Sequence, residues 1–172
     1  MFLNAGFCCA RPMASLSTFS SGTLYDFANK SGLKSPTAIE SLSCVESPSR
    51  SVSAEDIDNL QHVNNLVYLK WMDKIATTHW THLTKNNPLP QYVWVVMRHE
   101  IDYLKQASLG DEIIVKTWVG ETKGITSIRF MEFYKKDVLL VKAKTIWAML
   151  DSKTLKPARI RENVLKVLQA PK

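Results

Sequence analysis

Two carboxylates, Asp56 and Asp58, one imidazole, His62, and the carboxamides of Asn64 and Asn65 fall within ten residues, directly ahead of an apolar stretch that opens at Leu66. A carboxylate can take a proton from water or attack a carbonyl carbon. An imidazole can orient that water, share the proton or hydrogen-bond the carbonyl. Such chemistry also needs a place for the charge that builds on the reacting oxygen. A helix start provides one, because its first N–H groups have no partner inside the helix and lie at the positive end of its dipole. The N–H groups of Asn64, Asn65 and Leu66 are therefore the expected substrate-binding donors, with Asp58 and His62 as the expected catalytic pair. The plainer alternative stands beside this one: Asp58 and Asp56 cap a loop, His62 packs, and Asn64 and Asn65 only start the helix.

The elements that position these groups follow from periodicity. From Leu66 the apolar residues recur at Leu69, Met72, Ala76, Trp80 and Leu83, with Tyr68, Trp71 and Ile75 widening the stripe. That pattern predicts a long helix buried on nearly every side. The run 85–90, with Asn86, Asn87, Pro88 and Pro90, ends it. The period then changes to two. Residues 92–104 read as a strand with Val93, Val95, Met97, His99, Ile101 and Tyr103 on one face and Arg98, Glu100 and Asp102 on the other. The latter three are expected to form a salt-linked solvent face, the alternative being one wall of the pocket. Residues 112–119, 125–134 and 138–150 read as three more strands, the second alternating Ile128, Phe130 and Tyr134 against Ser127 and Arg129. A loop is expected at 120–124, and a short terminal helix at 161–168. One long helix followed by strands in hairpin succession gives an α+β domain with an antiparallel sheet curled around the helix. A helix apolar almost all round needs more cover than four strands offer, so a second subunit is expected.

The loop and the helix together carry a resemblance. Asp56-Ile57-Asp58, then His62-Val63-Asn64-Asn65, then Tyr68-Leu69 and the aromatic Trp71, resemble the active-site loop and central helix of hotdog-fold thioesterases. The nearest groups are the 4-hydroxybenzoyl-CoA thioesterase-like branch and the plant acyl-ACP thioesterases. The likeness runs from about Asp56 to Arg161 and takes in residues 98–105 and 110–115. It implies a single hotdog fold that hydrolyses acyl-CoA or acyl-ACP thioesters to free acid and thiol, with no cofactor and no metal. It also implies a homodimer or homotetramer. By this match Asp58 stands at the family's catalytic carboxylate, as general base or nucleophile, and His62 at the catalytic histidine of the plant enzymes. Leu60 departs from the plant pattern, which has asparagine there, and keeps open a second reading: a hotdog module that binds acyl-CoA or acyl carrier protein without turnover.

Composition bounds the rest. At 172 residues and 45% hydrophobic, the chain can bury one sizeable core. The expected division is an extension at 1–50, a hotdog domain at 51–162 and a tail at 163–172. Twelve serines between Ser15 and Ser53, with Pro12, Pro36 and Pro48, lead to the expectation of a disordered extension, or of a targeting segment. Just before the catalytic loop, residues 43–53 predict an edge or irregular strand, since Pro48 removes a donor. Cys8, Cys9 and Cys44 form no Cys-x-x-Cys pair and suggest neither a disulfide framework nor a zinc site. The net charge of +6 arises entirely after residue 55 and suits an anionic partner such as coenzyme A or an acidic carrier protein. Without a basic run or a glycine-aromatic RNA motif, nucleic acid is not expected as a partner. No apolar run is long enough for a membrane span. The expected compartment is the cytoplasm, or an organelle if residues 1–50 are a transit peptide.

Overall fold

The computed structural model describes residues 44–169. Most of the serine-rich extension therefore lies outside the described residues. The central helix α1 (Asn65–Leu83) starts where the sequence offers a cap. Asn64 stays extended, its Oδ1 accepts the Leu66 N–H at 2.9 Å, and its carbonyl accepts the Val67 N–H at 2.9 Å. At the other end the Thr84 hydroxyl and N–H both turn back onto the Trp80 carbonyl, at 2.9 and 3.0 Å. Val67, Tyr68, Trp71, Met72, Ala76 and His79 are buried, whereas Leu66 is 63% exposed. Lys70, Asp73, Lys74, Thr77, Thr78 and Thr81 make a continuous exposed face. Burial on nearly every side is thus corrected to burial of one stripe: the polar residues repeat with the helical period too, and occupy the side away from the sheet.

The sheet is antiparallel and holds β1 (Val45–Glu46), β2 (Arg50–Ser51), β3 (Tyr92–Tyr103), β4 (Glu112–Lys123), β5 (Thr126–Lys135) and β6 (Val138–Asp151). Its order is β1-β4-β5-β6-β3, with β2 also paired to β4. The expected hairpin succession holds for β4, β5 and β6. It fails for β3, which crosses to pair with β6 at the far edge instead of with β4. β4 also runs on through the expected loop to Lys123, with a bulge between Val119 and Thr122, and only Gly124, at φ 65°, and Ile125 turn the chain. β1 and β2 are the short, irregular edge pieces that Pro48 dictates.

Two strands present faces that the alternation alone did not assign. In β3 a bulge between Val96 and Arg98 reverses the phase: Trp94 pairs with Met149 and Val96 with Trp147, then His99 pairs with Thr145 and Ile101 with Ala143. Val93 and Val95 consequently share no face with His99, Ile101 and Tyr103, because directly opposed residues of an antiparallel pair project to the same side. In β5 the buried side carries Ser127, Arg129, Met131 and Phe133, so the half-buried Ile128, Phe130 and Tyr134 lie on the face away from the helix. The main core joins α1 to Ile113, Val115, Met131, Phe133, Val141 and Ala143. A second cluster gathers Leu89, Met149, Ile160 and the buried side of α2 (Glu162–Gln169), namely Val164, Val167 and Leu168. The boundary expected at 162/163 falls at the start of this helix, and the first part of the expected tail is core.

Candidate active site

The loop before α1 is held mainly by its own backbone. The Asp58 N–H donates to the His62 carbonyl at 2.9 Å, the Gln61 N–H to the Asp58 carbonyl at 3.0 Å, and Ile57 bridges Val63. Closing so short a loop puts Gln61 at φ 63°, in the left-handed region that side chains disfavour. The Val63 N–H reaches Ala107 at 2.9 Å and ties the loop to the β3–β4 connection.

Within that loop the Asp58 carboxylate is half-buried. Its Oδ1 accepts the Leu60 N–H at 2.8 Å and the His62 N–H at 3.4 Å. Among the described residues its Oδ2 meets no protein donor. Asp58, Leu60, His62, Asn64 and Asn65 line one cleft of about 640 Å³, with Tyr68, Tyr103 and Lys105 opposite. Four of the five expected site residues are thereby brought together, and Leu66 is not among those lining the cleft. The expected donors fare unevenly. The Asn64 N–H is taken by the Asp56 carbonyl at 2.9 Å and the Leu66 N–H by Asn64 Oδ1. Only the Asn65 N–H meets no protein acceptor among the described residues. Two features account for this: the capping Asn64 side chain takes the Leu66 N–H, and the carbonyl of Asp56, in the turn before it, takes the Asn64 N–H.

Asp56 is buried and structural. Its Oδ2 accepts the Ser53 N–H at 3.0 Å and the Ser53 hydroxyl at 2.9 Å, closing a capping box on the short helical turn Ala54–Asp56. Glu100 takes Arg98 at 3.2 Å and Lys144 at 3.3 Å, the salt-linked face expected of it. His79 is buried and bonded to Arg129 at 2.8 Å, and His82 is exposed. Among the described residues no three His, Cys, Asp or Glu side chains are placed to share a metal ion.

The sequence reading missed Tyr68 and Tyr103 as cleft residues. The Tyr103 hydroxyl reaches the Asn65 carbonyl at 3.4 Å, and the two rings meet edge to face at 5.8 Å. Burial, helped by Tyr103 and Asp111, pushes the Tyr68 hydroxyl up to about 12, and burial raises that of Tyr103. Both are thus protonated at neutral pH, as hydrogen-bonding groups rather than bases. Their aromatic type in a period-two or helical stripe looked like core, and nothing local distinguishes a ring in a core from one at a cleft wall.

Residues 52–168 match the Thioesterase-like superfamily. The chain belongs to that family. Its hotdog domain is similar to a predicted thioesterase from Bacillus stearothermophilus, with a TM-score of 0.66 and 17% identity, covering 73% of this chain and 94% of that one. It is also similar to a thioesterase from Thermus thermophilus crystallised with coenzyme A and zinc, with a TM-score of 0.61 and 23% identity over 73% of this chain and 92% of that one. At those identities the likeness is one of fold. A chloroplastic acyl-[acyl-carrier-protein] hydrolase, FATB3 of Cuphea viscosissima, is 30% identical over 74 residues, 42% of this chain. The match spans only 18% of that relative's length. Membership of the thioesterase-like family supports thioester hydrolysis as the general class of chemistry. No helix among the described residues is long and apolar enough to cross a membrane.

Proposed function

We propose that this thioesterase-like domain hydrolyses acyl thioesters of coenzyme A or of an acyl carrier protein to free acid and thiol, with Asp58 as the working carboxylate. The observation that carries this reading is the convergence of Asp58, His62 and the open Asn65 N–H on one cleft at the positive end of α1. A thioester carbonyl is already electrophilic, so the site needs chiefly an oxyanion donor and an activated nucleophile. The carbonyl oxygen takes the Asn65 N–H, where the helix dipole favours the charge that develops as the carbon becomes tetrahedral. Asp58 Oδ2, the oxygen not engaged by the loop, either removes a proton from water or attacks the carbon to give a transient mixed anhydride. His62 orients the water or shares its proton. The test is thiol release from a panel of acyl-CoA and acyl-carrier substrates. Wild-type turnover that is lost in Asp58→Asn supports the reading, and turnover that survives the substitution sinks it.

One observation favours a second reading, binding without turnover: two of the three expected oxyanion donors already have protein acceptors. Saturable acyl-CoA binding with no thiol release from any substrate would establish that instead. The assembly proposed is a homodimer or homotetramer. Among the described residues the outer edge of β3 is unpaired and displays Val93, Val95, Val96 and Met97, each 37–60% exposed, which suits edge-to-edge pairing with a second copy. Light scattering on the eluting species tests it. The cytoplasm, or an organelle reached through residues 1–50, is the proposed compartment, and mass spectrometry of the native amino terminus distinguishes them.

A further inference from the structure

A second cleft, of about 280 Å³, opens beside α1 farther toward its C-terminal end, between the helix and the inner face of the sheet. Trp80, Tyr92, Trp94 and Trp147 supply its walls and Arg129 part of its floor. Arg129 is 7% exposed. Its Nη1 donates to His79 Nδ1 at 2.8 Å and to the Thr117 hydroxyl at 3.1 Å, so His79 accepts through Nδ1 and is neutral in this arrangement. Neither partner is a carboxylate. Nε and Nη2 meet no protein acceptor among the described residues, although guanidinium carries five donors in a rigid fork. Burial lowers the Arg129 guanidinium to about 10, which still leaves it charged at neutral pH.

The same walls hold two more unanswered donors. The indole nitrogens of Trp94 and Trp147 are buried without a hydrogen-bond partner among the described residues. Of the hydroxyls nearby, that of Ser127 is paired with that of Thr122 at 2.9 Å and that of Thr145 with His99 Nδ1 at 2.9 Å, and neither bonds Arg129. The carboxylate on the lining, Asp73, is exposed on the helix and forms no ion pair with Arg129. The indole nitrogens are sealed from the cleft, as that of Trp118 is elsewhere, so the cation that lines the cleft is the group costly to leave without a counter-charge. The volume lies at the lower end of small-molecule pockets and takes one end of a ligand, not a whole coenzyme.

We propose that the Arg129 cleft binds a carboxylate carried on an apolar body, with the guanidinium fork taking the carboxylate and the tryptophans the body. Two sources share this chemistry: the distal carboxylate of an acyl group undergoing hydrolysis, and a free carboxylic acid. The first rests on the hydrolysis proposed above, while the binding itself does not. Asn65 and Ala76 lie eleven residues apart on α1, roughly 16 Å along the axis, so a ligand spanning both clefts is a long-chain dicarboxylic half-thioester.

The cleft carries its own reporters, because three tryptophans line it. Titrating the full chain with phenylbutyrate while following tryptophan fluorescence should give a saturable change. The neutral phenylbutyramide should bind the wild type about tenfold more weakly or worse, and phenylbutyrate should bind Arg129→Met as poorly. Arg129→Lys, which keeps the charge but loses the fork, should fall between and serves where the methionine variant does not fold. Asp58→Asn should bind phenylbutyrate as the wild type does, so failure of the hydrolysis reading leaves this result intact. Equal binding of acid and amide overturns the proposal. So does a shift in oligomeric state of Arg129→Met with no acid binding to the wild type, since a second copy would then answer the charge. To separate the sources, hydrolysis of hexadecanedioyl-CoA is compared with that of hexadecanoyl-CoA. A loss of kcat/KM in Arg129→Met confined to the dicarboxylic substrate identifies the acyl terminus. An equal response of both substrates, with acid binding lost, identifies the free acid.

Discussion

The two clefts along α1 are built in opposite ways. At the helix start, Asp58 and its neighbours come from ten consecutive residues, and the loop's own N–H groups already bond Asp58 Oδ1 and Asn64 Oδ1. Farther along, Arg129 of β5 bonds His79 of α1 and Thr117 of β4, shares its cleft with residues of β3, β6 and α2, and has more donors than these two acceptors answer. In the first cleft the loop engages one oxygen of Asp58 and so orients the carboxylate before any ligand arrives, leaving Oδ2 and the Asn65 N–H open. The second is electrostatically incomplete, as a site is when a ligand supplies the missing charge. On these two proposals, preorganisation of the reacting group and selection of the ligand fall to different ends of one helix.

The sharpest way to break this contrast is Asp58→Asn, which should lower thiol release by roughly 10²–10⁴-fold. Acid binding and the thermal midpoint should hardly move. Parallel loss of both functions would show that the clefts are one site. A structural probe of the second cleft comes next. A methyl group at Gly120 would lie 2.5 Å from the Phe130 ring, which stacks on Trp118 with centroids 5.5 Å apart. Gly120→Ala should therefore cost about 1–3 kcal/mol in urea denaturation and disturb β5, weakening acid binding more than thiol release. Truncating Phe130 in the same chain should remove the clash component of that cost.

At the helix start, Asn64→Ala removes the cap and should cost about 1 kcal/mol, read as a fall of a few degrees in the thermal midpoint. Acid binding at Arg129 should be unchanged. The smallest effect concerns pH. Asp111 accepts from Lys135 at 2.7 Å and from the Ser108 N–H at 2.9 Å, and its backbone carbonyl ties down the Val52 N–H behind the loop. The hydrogen bond from Lys135 above all, against an opposing effect of burial and with help from Ser108, holds its carboxyl below the ordinary range. A depressed carboxylate contributes stability that is complete above its unfolded value of about 4 and is lost as pH falls through the folded one. Urea midpoints from about pH 5 to about pH 3 should therefore fall less steeply in Asp111→Asn than in the wild type.

Much of the first cleft could be read from the chain because its determinants are local. Asn64 caps α1 in the position its type and the following apolar run predicted, and Asp58, His62 and Asn65 are held close by their spacing in a short loop. Even there, which N–H groups stay open was decided by the fold, since Asp56 takes the Asn64 N–H only once the turn at Ala54–Asp56 has formed. The second cleft was invisible. Arg129 looked like a solvent residue because Ile128, Phe130 and Tyr134 looked like the core face, and the bulge near Met97 that swaps the faces of β3 has no signature in a period-two count.

From the amino-acid sequence alone came the long helix and its start, the four long strands, and the gathering of acid, imidazole and amide before an apolar run. Caps and periods depend on neighbours a few positions away, so they are written in the chain. The order of strands, the pairing of β3 with β6, and the choice of which side of β5 meets the helix were settled only when distant segments packed. Alternation says which residues share a side. It does not say which side is inside: that depends on register with β4 and β6, and here it turned a basic side chain inward beneath the helix.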